Sequence, residues 1–211
     1  MRRQSEHLDD YGRALERLRA RGLVYRCFRT RKDVMEAAAS APHGPAEPFR
    51  GGPLAPGEQD AMLAAGRPFA WRLSMAAAQA HLGGAWDDLG FVEEGSGPAG
   101  EQGRIAADPA AHGDVILARK DVGVAYHLAV VVDDALQGVS HVIRGWDLFE
   151  AAHVQRLLQA LLELPTPTYR HHRLLMGPDG KRLAKRNGAR SLRELRAEGA
   201  TPAEVRAGLG L

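Results

Sequence analysis

The chain carries a single cysteine, Cys27, in 211 residues. One thiol cannot build an internal disulfide framework, and so sparse a use of cysteine is the expectation for a reducing cytoplasm. No apolar run is long enough to span a membrane. The first fifteen residues lack the apolar core of a signal peptide. No sequence segment repeats. Excess charge is also missing. The net charge is +2, so the molecule as a whole is no polycation, and any nucleic-acid binding has to come from local patches. What remains is a globular balance of 45% hydrophobic and 26% charged residues. That balance suffices for one good core, or for a core with a small lobe.

The densest apolar stretch, residues 113–149, organises the rest. Val115, Ile116 and Leu117 run into the charged Arg119, Lys120 and Asp121, the pattern of a strand entering a turn. Leu128, Val131, Val132, Ala135, Leu136 and Val139 recur at helical spacing, with Gly138 where a helix would close. Because Val130, Val131 and Val132 are all β-branched, a strand stays open there. Val142 and Ile143 mark a short strand over residues 141–144. A long helix is expected over residues 146–164, with Asp147 near its start and Pro165 beyond its end.

Upstream, Leu8, Tyr11, Leu15 and Leu18 fall on one helical face, and Gly22 supplies a stop. A strand is expected over residues 23–28 and a helix over 31–40 capped by Thr30. An irregular loop over 41–57, a helix over 58–65 and a strand over 69–73 follow. Residues 85–109, rich in glycine and acids, read as a variable loop or an edge hairpin. Downstream come residues 169–176, a turn at Gly177-Pro178-Asp179-Gly180, and a basic loop over 181–190. Two short helices end the chain, one capped by Ser191 and one opened by Thr201-Pro202.

Several motifs in this order resemble the glutamyl-tRNA synthetase group of class I aminoacyl-tRNA synthetases. They are Gly66-Arg67-Pro68-Phe69-Ala70-Trp71-Arg72-Leu73, Tyr126-His127-Leu128-Ala129, Val132-Asp133-Asp134, Gly138-Val139, and His141-Val142-Ile143-Arg144-Gly145. Taken alone, Tyr126 and Arg144 read as an ordinary tyrosine at the edge of a core and a surface arginine. The ordered match around them changes that reading, because in the family these two positions hold glutamate. The chemistry is consistent: a guanidinium grips a carboxylate through two parallel hydrogen bonds. Arg182-Leu183-Ala184-Lys185-Arg186 resembles the family's KMSKS loop, whose lysines neutralise ATP phosphates as pyrophosphate leaves. Lys185 takes the second lysine position, Arg182 replaces the first lysine, and Ala184 replaces the serine. Out of context the loop would be a solvated basic segment.

The resemblance implies an α/β fold, an incomplete class I nucleotide-binding (Rossmann-like) domain with an acceptor-stem-type insertion. Residues 1–23 and 113–164 would form the nucleotide-fold part, 24–112 the insertion, and 165–211 the basic loop and terminal helices. Because no anticodon-binding part follows, the family's short paralogues fit best. These activate glutamate with ATP and magnesium and transfer it to queuosine in the anticodon loop of tRNA(Asp). A cytoplasmic monomer that avoids membranes is expected. The family's first signature, His-x-Gly-His, should precede Gln4 and is missing, so impaired activity is expected. His81-Leu82-Gly83-Gly84 imitates it in the wrong place. A zinc site is not expected, since Arg29 stands where a second thiolate should partner Cys27, and His43 is a lone loop histidine. Two rival readings are a non-catalytic remnant that binds RNA or a partner, and a fragment of a glutamyl-tRNA synthetase.

Overall fold

The computed structural model describes residues 3–30, 48–119, 123–177, 180, 182–183, 188 and 190–209. The helix expected over 31–40, His43 and the first part, residues 41–47, of the expected 41–57 loop lie outside them. The chain opens with α1 (Leu8–Ala20), β1 (Val24–Cys27), α2 (Pro56–Ala64), β2 (Ala70–Leu73) and α3 (Met75–Leu82). Next come β3 (Gly90–Glu93), β4 (Gly103–Ala106), β5 (Ile116–Arg119), β6 (Gly123–Val124) and α4 (Tyr126–Leu136). The last part holds β7 (His141–Gly145), α5 (Phe149–Leu162), β8 (Thr168–His172), α6 (Leu192–Ala197) and α7 (Pro202–Gly208).

The strands form two four-stranded sheets, ordered β1-β2-β5-β6 and β4-β3-β8-β7. The first is antiparallel throughout. In the second, β3 pairs antiparallel with β4 but parallel with β8, and β8 pairs parallel with β7. Each sheet takes strands from both sides of residue 112, where the insertion was expected to end. The strands of the 85–109 stretch form a hairpin, with β4 at the sheet edge and β3 inside it. β7 is the opposite edge, and Ile143 on it is 68% exposed.

The helices take up the amphipathic faces read from the sequence. Tyr11, Ala14 and Leu18 of α1 are buried, at steps of three and four residues that return to one face. Leu8 is 56% exposed, so the apolar stripe runs a turn beyond the core that covers it. Val130, Val131 and Val132 are helical, although their β-branched side chains also fit a strand. Burial of Leu128, Val131 and Val132 against the main core decides between the two. The expected long helix starts as a tighter turn, Trp146–Leu148, before α5.

α5 is the central post. Its residues Val154, Leu157, Leu158 and Leu161 enter a core shared with Leu18 of α1, Leu128 of α4, and Leu73 and Leu117 of the antiparallel sheet. Phe149 and Ala152 enter a second cluster with Phe91 of β3 and Tyr169 of β8. One helix thus binds both sheets, and each fully buried leucine contributes about 1.5–3 kcal/mol. Polar clamps hold the same joint. Arg17 and Arg21 donate to the backbone oxygens of Leu162 and Leu161 at 3.0 and 2.7 Å. These carbonyls end α5 and have no partner inside the helix. The Tyr11 hydroxyl donates to the buried Asp133 of α4 at 2.8 Å.

Candidate active site

The parallel strands place their carboxyl ends together. Arg144 of β7 sits opposite His171 of β8, and Glu93 of β3 opposite Tyr169. In open parallel sheets ligands bind just outside these strand ends. Side chains alternate along a strand, so Tyr169 and His171 share a face. Their rings stack 6.0 Å apart at an interplanar angle of 5°.

Arg144 is half-buried on this face. Its Nε–H donates to His171 Nε2 at 3.1 Å, and its guanidinium carbon lies 5.0 Å from the centre of the Tyr169 ring. Its Nη2 is buried and has no hydrogen-bond partner among the described residues. An arginine cannot shed its charge to escape such a position. A buried donor without a partner costs about 1–3 kcal/mol. This is the cradle into which an acceptor would fit.

α4 carries two groups that the charge of Arg144 reaches, His127 and Asp134. Tyr126 is its first residue and is 47% exposed. The next residue, His127, packs edge-on against the Tyr126 ring at 5.7 Å and has a buried Nδ1 without a partner among the described residues. Burial above all, then the positive influence of His112 and Arg144, holds His127 below the ordinary histidine range. Burial raises the Asp134 carboxyl, Arg144 opposes this, and the Asp133 charge adds to it. The charge of Arg144 is therefore felt at both ends of α4, through His127 and Asp134. No hydrogen bond joins Tyr126 and Arg144 among the described residues.

The basic loop returns to the same end of the sheet. Arg182 forms an isolated antiparallel bridge with Met176, and the Leu183 N–H donates to the Leu175 oxygen at 2.9 Å. Arg182 also makes an ion pair with Asp147, three residues beyond Arg144. A Cβ on Gly145 would lie 2.7 Å from Asp147 Oδ1 and 2.9 Å from Leu174 Cδ2, so glycine is what lets them close in. The expected phosphate partner Arg182 thus has a carboxylate partner here. Ala184, Lys185 and Arg186 lie outside the described residues. His81 sits at the end of α3 and acts on Glu163, at the far end of α5 from Phe149. Among the described residues, no group of three or more His, Cys, Asp or Glu side chains could hold a metal ion. Nor is any helix there long and apolar enough to cross a membrane.

Glu93, His127, Tyr169 and His171 were missed in the sequence. Glu93 lay in the stretch read as least structured. The alternation of Tyr169 and His171 was the one available signal, since it puts both on one face of a strand.

A family model described as tRNA synthetases class I (E and Q), catalytic domain, matches residues 100–211. The chain belongs to this family of aminoacyl-tRNA ligases. A Glutamyl-Q tRNA(Asp) synthetase of Rhodobacter capsulatus is 47% identical over 211 residues, spanning 99% of this chain and 74% of that protein. One of Symbiobacterium thermophilum is 41% identical over 207 residues, with 96% of this chain and 59% of that protein covered. The chain thus spans roughly three-quarters of the first of these relatives and three-fifths of the second. Among solved structures, a glutamate-tRNA synthetase of Elizabethkingia anophelis superposes with a TM-score of 0.68 at 23% identity. That match covers 88% of this chain and 37% of the other, and it supports the α/β fold. Members of the family bind an amino acid, ATP and tRNA.

Proposed function

We propose that this class I synthetase chain activates glutamate with ATP and transfers it to queuosine of tRNA(Asp). The observation that carries the reading is Arg144 at the carboxyl end of β7, whose buried Nη2 has no hydrogen-bond partner among the described residues. A carboxylate is the acceptor that fits a guanidinium best. The curated relatives' names supply the reaction.

The division of labour follows from the chemistry. In adenylate formation an α-carboxylate oxygen of glutamate attacks the α-phosphorus of ATP, and pyrophosphate departs. That carboxylate must stay free to react, so Arg144 takes the side-chain carboxylate. The Tyr126 hydroxyl, at the start of α4, holds another polar group of the amino acid. Lys185 serves the ATP phosphates, with Arg182 close by on the same loop; ATP brings magnesium with it. A point charge placed there would stabilise the leaving pyrophosphate as its charge grows.

The test is ATP–pyrophosphate exchange driven by glutamate, followed by charging of tRNA(Asp) with and without queuosine. It should be run on the chain alone and on a chimera. The chimera would carry the residues of the Rhodobacter capsulatus relative that lie outside the match, placed as they stand there. The expected result is exchange with glutamate and not glutamine, strong in the chimera and weak in the chain alone, and charging only of the queuosine-bearing tRNA. A chimera that folds, binds tRNA and exchanges nothing would favour a non-catalytic RNA-binding role.

A further inference from the structure

Glu93 and His171 lie beneath Arg144, and the reaction as drawn above does not use them. Both side chains are 0% exposed. Glu93 Oε1 accepts from the backbone N–H groups of Gly95 and His171, each at 2.8 Å. Its Oε2 lies 2.6 Å from His171 Nδ1. His171 Nε2 in turn accepts from Arg144 Nε–H. The arginine decides where the histidine proton sits. Arg Nε–H can only donate, so Nε2 presents its lone pair and the proton is on Nδ1, donated to Glu93. Backbone closeness guards the arrangement, for a Cβ on Gly95 would lie 2.3 Å from the His171 carbonyl oxygen.

We infer that Glu93 and His171 are positioning residues that fix Arg144 for carboxylate binding, a proposal that rests on the reading of Arg144 given above. With Nε held by His171 and one guanidinium face covered by Tyr169, the side chain has few orientations left. Its two Nη groups are the edge that remains to meet a carboxylate, so the ligand docks end-on. Glu93 acts at one remove, by holding the histidine in the tautomer that accepts from Arg144. A side chain ordered before the ligand arrives does not have to be ordered by it.

Glu93→Gln tests this with little change of shape. A glutamine can still accept from the two backbone N–H groups, but its amide then donates toward Nδ1. The histidine proton is driven to Nε2, where it faces Arg144 Nε–H donor to donor. His171→Phe is the second variant; it keeps an aromatic ring against Tyr169 and Phe149 and removes both hydrogen bonds. The side-chain Nε–Hε resonances of the full chain are recorded by NMR, with Arg144 identified by its loss in Arg144→Lys. L-glutamate is then titrated calorimetrically into the wild type, both variants and Arg144→Ala.

The expected result is a slowly exchanging Arg144 Nε–Hε signal in the wild type that broadens or vanishes in Glu93→Gln. Glutamate affinity should fall about three- to tenfold in Glu93→Gln, and more in Arg144→Ala. If His171→Phe does not fold, Glu93→Gln decides alone. An unchanged Arg144 signal, or unchanged affinity in Glu93→Gln beside weakened binding in Arg144→Ala, overturns the positioning role and leaves the reading of Arg144 standing. Equal binding by Arg144→Ala and the wild type, or no binding by either, overturns that reading and the inference with it.

Discussion

Replacing Arg144 with alanine has two consequences of different kinds. The first concerns the ligand. On the proposed reading, the variant would lose the charge-assisted contact to the glutamate side-chain carboxylate, worth about 1.5–3 kcal/mol. That is a loss of about ten- to a hundredfold in affinity. The second concerns the fold. Arg144→Ala leaves His171 Nε2 buried without its donor and uncovers Tyr169. It also removes the buried Nη2, which has no partner among the described residues, and the two effects oppose each other. The net change in stability should be about 1 kcal/mol or less, a shift of roughly 2–4 °C in Tm for a chain of this size. Arg144→Lys keeps the charge and loses the planar fork, so its affinity should fall between the two. Calorimetric titration with L-glutamate and thermal melting by circular dichroism read the effects separately. Wild-type affinity in a folded Arg144→Ala would refute the assignment. A loss of 10 °C or more would show that Arg144 is chiefly a structural residue.

Other perturbations probe different parts of the molecule. In the chimera, Lys185→Ala should lower the maximal rate of glutamate-dependent pyrophosphate exchange and leave the glutamate requirement nearly unchanged, because on the proposed reading its contact strengthens as charge develops on the phosphates; a raised glutamate KM at full rate would contradict this. Asp114, 4% exposed, accepts from the Tyr25 hydroxyl and from the N–H groups of Gly51 and Met75. Asp114→Ala leaves the Tyr25 hydroxyl and the Met75 N–H buried without this acceptor, which should cost roughly 3 kcal/mol in a urea melt; a loss below about 1 kcal/mol would count against the hub. His127 and His153 are both held below the ordinary histidine value, chiefly by burial. The unfolded chain therefore binds these protons more readily. The stability they contribute is full above the unfolded value of about 6.5 and declines as pH falls through the lowered folded values. His127→Gln should flatten the fall in Tm between pH 7 and pH 5, and an unchanged slope would remove His127 from the acid response.

The local elements were legible because their causes are local. The apolar spacing of Leu8, Tyr11, Leu15 and Leu18 needs only the period of a helix to be read. Ser191 and Thr201 each form a complete capping box with the glutamate three residues on, a pattern contained within four residues. Tyr126 and Arg144 were found by a family resemblance whose motifs are contiguous, although their electrostatic setting was not. What they face was decided elsewhere in the chain. Glu93 and His171 are separated by 78 positions. Parallel strands pair only across long connections, and nothing near Glu93 announces its partner. A glutamate in a glycine-rich, acidic stretch reads as a solvated loop residue. It is buried only because two backbone N–H groups and an imidazole converge on it once β3 lies beside β8. The same holds for Arg182, read as a phosphate ligand from its loop and paired with Asp147 when that loop folds back to β7. Sequence alone determined the helices and strands whose signals are local, and it left open residues 130–132 and the 85–109 hairpin. The tertiary structure decided which side chains meet, because a charge can be buried only where distant segments bring the groups that satisfy it.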